Sequence, residues 1–155
     1  MGKRRLYLGG LSALECWTAA ALGMMPWPRK TRVVTFGEFS STDRDVLEHD
    51  LGSKGAITLP YNVVVPRRGN NLRSTACARK RMAEPFPAGS FFDCGNSVYI
   101  ASPELCVIHF AEHASLWQTV LLCCELFGRY TINPASKELV TRAPLSSATS
   151  LFAYC

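Results

Sequence analysis

The sequence predicts an α+β fold, with short strands and a hairpin packed on a core of two consecutive apolar helices. Three observations predict it. Residues 98–130 hold the densest apolar content of the chain, and Val98, Tyr99 and Ile100 suit a strand running into a helix. Ser102-Pro103-Glu104 is a helix start: Ser caps exposed N–H groups, Pro is tolerated at the first position, and Glu favours the positive end of the dipole. Ser115-Leu116-Trp117-Gln118 is a capping box that restarts the chain as a second helix, with Gly128 as its stop. On that second helix Gln118, Thr119 and Glu125 fall within one arc of about 120°, at about 100° per residue. Apolar residues between Leu116 and Phe127 fill most of the rest, so the helix is expected to be covered on several sides.

The remaining elements follow in order. Ser12-Ala13-Leu14-Glu15 is another capping box, predicting a helix through Ala21 that Gly23 ends, with Leu14 and Trp17 turned inward. Pro26-Trp27-Pro28 breaks the chain ahead of Arg29, Lys30 and Arg32. Arg32 to Phe36 reads as a short strand. Phe39 to Thr42 is a loop, and Asp43 to Leu51 a short amphipathic helix stopped by Gly52. Ile57 to Val65 is a second strand, its start confined by Pro60 to an edge or a bend. Pro66 to Asn71 is a loop, and Ser74 to Met82 reads as one or two helical turns. Phe91 to Ile100 suggests a hairpin around Gly95-Asn96. Tyr130 to Ile132 and Leu139 to Thr141 are extended pieces flanking a Pro134 loop, and Pro144 begins a last helix over 144–155. The 155 residues are expected to form a single domain.

Composition excludes several classes. Nearly half the residues are apolar and about a fifth charged, which argues against disorder over most of the chain. The net charge of +5 permits nucleic-acid binding without demanding it. Seven cysteines (16, 77, 94, 106, 123, 124 and 155) show no CxxC spacing. They read as reduced thiols of a cytoplasmic protein, several acting as small apolar side chains. The apolar run near the N-terminus imitates a signal peptide, but Glu15 interrupts it. No apolar window approaches the ~20 residues that span a bilayer, so no membrane partner is expected. There is no G-x-S-x-G, P-loop or dinucleotide fingerprint, and neither a catalytic residue nor a cofactor is assigned.

Two stretches carry chemical suggestion. His109-Phe110-Ala111-Glu112-His113 matches H-x-x-E-H, the inverted zinc-peptidase motif, in which two His at i and i+4 share a helical face and Glu acts as general base. That reading needs a third ligand, and downstream only Glu125 and Glu138 are acidic, so no metal residue is assigned. The basic run is the stronger clue. From Lys54 to Arg81 there are seven cations and no acidic residue. Arg67, Arg68, Arg73, Arg79, Lys80 and Arg81 are the candidate nucleic-acid-binding residues. Arg67 and Arg68 stand beside Gly69 and two Asn, where backbone N–H and guanidinium groups can approach phosphates together. Aromatic interleaving is missing, which argues against a single-strand stacking platform.

Several segments also carry a resemblance. SPELC at 102–106, ELFGRY at 125–130 and the R-APL-SS stretch at 142–147 are similar to the N-terminal half of actinobacterial proteins that carry a C-terminal Vsr-like endonuclease domain. SALECW at 12–17, LPYNVVVP at 59–66 and the run from Pro85 to Cys106 match as well. The SPE-helix element further resembles AbiEi-type antitoxins of abortive-infection systems. The resemblance implies a non-catalytic, nucleic-acid-associated module of a defence-type protein, the catalytic residues of the family belonging to a nuclease segment that this sequence does not contain. DNA through the basic run is the partner this implies. The alternative is a protein-interaction domain, or a truncated gene product, whose apolar helices need a partner or a further domain.

Overall fold

A computed structural model describes residues 5–37, 57–67, 76–133 and 136–155. The expected helix at 43–51 and loop at 39–42 lie outside the described residues, as do most of the 66–71 loop and Pro134. Within them the chain forms a six-stranded mixed sheet, a separate two-stranded hairpin and four helices, an α+β architecture.

The sheet is organised around β1 (Leu6–Leu8), which is parallel to β6 (Val98–Ala101) and antiparallel to β3 (Tyr61–Pro66). β3 continues in parallel to β4 (Cys77–Met82), an edge strand. On the other side β6 pairs with β5 (Phe91–Asp93), and β5 with the other edge, β2 (Arg29–Lys30). Leu6, Tyr7 and Leu8 are all buried. An unbroken apolar run of this kind needs cover on both faces of a sheet, and both are covered. Leu8, Ile100 and Phe92 form one register row, and the Trp17 ring meets Phe92 edge-on at 5.0 Å. Its Nε1 donates to the Ala101 carbonyl at 2.8 Å. On the opposite face Tyr7 stacks on Tyr99 at 5.1 Å and meets Phe36 and Phe91 edge-on at 4.9 and 5.0 Å. Aromatic pairs of this geometry add about 0.5–1.5 kcal/mol each beyond their burial.

α1 (Gly10–Ala21) begins two residues before the expected cap. The Ser12 hydroxyl instead accepts from Asn62 N at 2.9 Å, and Glu15 accepts from Thr58 N at 3.0 Å. Both residues of the expected box therefore tie the helix to β3 and the chain leading into it. Ala13, Cys16, Ala19 and Ala20 are buried beside Trp17, and these small side chains let α1 pack closely on α2 (Pro103–Ala111). α2 starts as the sequence predicts: Ser102 Oγ accepts from Leu105 N at 3.2 Å, Pro103 is the first helical residue, and Glu104 lies in the first turn.

α3 (Leu116–Phe127) has both bonds of the expected capping box. Gln118 N donates to Ser115 Oγ at 3.3 Å and Ser115 N donates to Gln118 Oε1 at 2.8 Å; Gly128 follows its last residue. The expectation that α3 belongs to the core is overturned. Leu126 is its one buried residue, whereas Leu116 and Trp117 are 79% and 76% exposed. The core lies between β1, its neighbouring strands, α1 and α2. The expected turns at 74–82 are also corrected where described: 77–82 form β4, because parallel pairing with β3 along its whole length outweighs local helix preference. Strand pairing falls at Arg29–Lys30 rather than at 32–36. β7 (Tyr130–Ile132) and β8 (Leu139–Thr141) pair as a hairpin, and α4 (Ala148–Tyr154) starts later than expected, capped by Ser147.

Candidate functional site

Position in the sheet decides what the basic residues can do. Successive side chains on a strand point to opposite faces. Arg79 and Arg81 therefore share one side of edge strand β4 and are exposed, while Lys80 points to the other and is partly buried. Arg67 follows β3 directly. Its N–H donates to the Met82 carbonyl at 2.9 Å, which holds this exposed residue at the end of β4. Among the described residues none of these three arginines is paired with a carboxylate. Lys80 is paired with Glu112, at the C-terminus of α2. Arg68 and Arg73 lie outside the described residues. The structure thus brings Arg67, Arg79 and Arg81 to one edge and turns Lys80 away from them.

Behind that edge is a cleft of about 600 Å³ whose walls include Gly9, Gly10, Asn62, Lys80, His109 and Phe110. Gly9 is required by packing, since a Cβ there would stand 2.5 Å from Val64 Cγ2. Burial, reinforced by the nearby Lys80 charge, pushes His109 down from 6.5 to about 4, so its imidazole is neutral at neutral pH. Its Nδ1 atom is buried and has no hydrogen-bond partner among the described residues.

The H-x-x-E-H stretch loses the geometry that suggested a metal. α2 ends at Ala111, Glu112 is engaged by Lys80, and the His113 side chain is 80% exposed. Among the described residues no three of His, Cys, Asp or Glu cluster closely enough to hold a metal ion. Cys106, Cys123, Cys124 and Cys155 are free thiols. Burial raises the Cys106 thiol well above its ordinary range, and burial followed by the neighbouring Cys124 raises Cys123. Neither is activated as a nucleophile.

A second surface lies on α3, one of the apolar helices for which the sequence left a partner as the alternative. With Leu116 placed at 0° and about 100° added per residue, Leu116, Val120, Cys124, Trp117 and Leu121 fill an arc from 0° to about 140°. All five are exposed. Leu126, Thr119, Leu122 and Cys123 occupy the inward side. The narrow polar stripe was itself the available signal, because a helix with so little polar surface exposes apolar residues unless it is enclosed. At its C-terminal end α3 is joined to the β7–β8 hairpin by Arg142, whose Nη2 donates to the Glu125 carbonyl at 2.6 Å and to Glu125 Oε1 at 3.2 Å.

Comparison with family models, with curated proteins and with solved structures gives no match to this chain. No helix among the described residues is long and apolar enough to cross a membrane.

Proposed function

We propose that this chain is a non-catalytic, nucleic-acid-associated module that contacts the phosphate backbone through Arg67, Arg79 and Arg81. The observation that carries the reading is the placement of these exposed arginines, Arg79 and Arg81 on one side of the edge strand β4 and Arg67 at its end, none paired with a carboxylate among the described residues. Guanidinium groups on an edge can follow a line of phosphates without any backbone rearrangement, and such contacts position a protein without reading sequence. The resemblance to the front half of defence-type endonucleases and to antitoxins supports the same class of partner.

Fluorescence anisotropy with two labelled duplexes of unrelated sequence tests this. Three neutralised phosphates give a log–log salt slope of about −2.7, with non-specific dissociation constants of roughly 10⁻⁴ to 10⁻⁶ M. Equal affinity for the two duplexes with that slope supports the reading. No binding at low salt rules it out.

A second reading rests on a different observation, the exposed apolar arc of α3. An uncharged helical face that carries Trp117 is a protein-docking surface, since apolar surface of this continuity marks interaction sites on soluble proteins. The two readings use different surfaces and are compatible in one molecule.

A further inference from the structure

We propose that the cleft behind β4 receives one unpaired nucleobase from the strand whose phosphates lie on the arginine edge. This rests on the phosphate-contact reading of that edge and adds an uncharged contact to it. Three observations carry it. The first is position. Ala78, Arg79 and Lys80 all stand in the cleft walls, so β4 is at once the basic edge and one rim of the cleft. A strand that follows Arg79 and Arg81 has the opening beside it. The second is charge. Among the described residues the walls carry no carboxylate, and their lysine, Lys80, is engaged by Glu112. A phosphate inside the cleft would have to displace Glu112 from Lys80. The interior therefore suits the uncharged part of a nucleotide, its base, while the phosphate stays on Arg79 at the rim.

The third is the chemistry of the walls. Phe110 is 40% exposed and is the one aromatic ring in them among the described residues. An exposed ring of this kind gives an unstacked base a surface to stack on. A single ring matches a single base, in keeping with the missing aromatic interleaving along the basic run. Asn62 adds an amide. Its Nδ2 makes only a long contact, 3.5 Å, with Ser12 Oγ. A Cβ at residue 10 would stand 3.6 Å from Asn62 Oδ1, so Gly10 leaves the amide uncovered on that side. His109 adds a neutral imidazole. Its Nδ1 is enclosed beside Gly9, which leaves Nε2 as the ring nitrogen for the cleft. An amide and an imidazole present the donors and acceptors that a base edge answers. A purely apolar ligand would leave those atoms unpaired at a cost. The cleft, about 600 Å³, also falls within the ~300–1,000 Å³ of pockets that enclose one small molecule, and does not take a length of strand.

Three labelled duplexes, compared by fluorescence anisotropy with the full chain, test the proposal: one fully paired, one with a one-nucleotide bulge, and one with that bulge made abasic. The bulged duplex should bind about tenfold tighter than the paired one, one decade being about 1.4 kcal/mol. The abasic bulge should bind like the paired duplex. Because a base carries no charge, the bulged and paired duplexes should share one salt slope. Phe110→Leu should abolish the gain without weakening the paired duplex, and Phe110→Tyr should keep it, both with a thermal transition close to that of the wild type. Equal binding of all three duplexes overturns the base site and leaves the arginine edge standing. An equal gain for the intact and the abasic bulge assigns the preference to backbone bending and overturns the site as well, as does a gain that survives Phe110→Leu. No binding of any duplex at low salt removes the edge reading and the base site with it.

Discussion

His109, Trp17 and Arg142 each link one side chain to a measurable property. The folded His109 has its pKa pushed down to about 4 against 6.5 for the free group, by burial first and Lys80 second. Above pH 6.5 both folded and unfolded forms are neutral, and the group adds no pH dependence. Between pH 6.5 and about 4 the unfolded chain binds a proton that the folded chain does not, so stability falls as pH falls. His109→Asn should flatten this fall between pH 6.5 and 5 in urea unfolding at stepped pH; parallel profiles would contradict the assignment. The two tryptophans make a sharper pair. Trp17 is 2% exposed and Trp117 76%. Trp17→Ala should cost about 3–5 kcal/mol, and Trp117→Ala in dilute protein about 0.5 kcal/mol or less. Equal costs in chemical denaturation would mean that α3 is packed in the core after all. Arg142 is buried and ties α3 to the hairpin through charge-assisted bonds. Its replacement by Ala should cost about 1.5–3 kcal/mol, read by the same denaturation.

Elements were legible where a local rule writes them. The SPE start of α2, the capping box of α3, Gly128 and the turn at Gly95-Asn96 all depend on neighbours within a few residues, and all stand as read. Ser115→Ala should therefore cost about 1 kcal/mol, and because α3 has little tertiary cover, the loss should appear first as faster amide exchange in its opening turn. Unchanged exchange there would contradict the cap. What local rules do not contain was missed. β1 is three residues long and follows a basic, leader-like start, so its place at the centre of the sheet comes only from its partners β3 and β6. β4 has the composition of a charged helix turn and becomes a strand by pairing with β3. The candidate site divides the same way. The abundance of cations was visible in the chain, but strand alternation at Arg79, Lys80 and Arg81 could be applied only once β4 was known to be a strand. The apolar character of α3 was visible; which side of it faces solvent was not.

For the whole molecule, the two candidate surfaces are separated by character. Three arginines line the β4 edge, the α3 arc is uncharged, and the aromatic core between them is closed on both faces of the sheet. Charge at the edge governs long-range, salt-dependent attraction, and apolar area on the helix governs short-range docking. If phosphate contact is made as proposed, position on β4, rather than the number of cations in the run, decides which of them make it. The salt slope of duplex binding measures this most directly, compared between Arg79→Ala/Arg81→Ala and Lys80→Met. Loss of the arginine pair should lower the magnitude of the slope by about 1.8, and Lys80→Met should leave it unchanged. A loss of about 0.9 from Lys80→Met, or an unchanged slope in the arginine double variant, would contradict it.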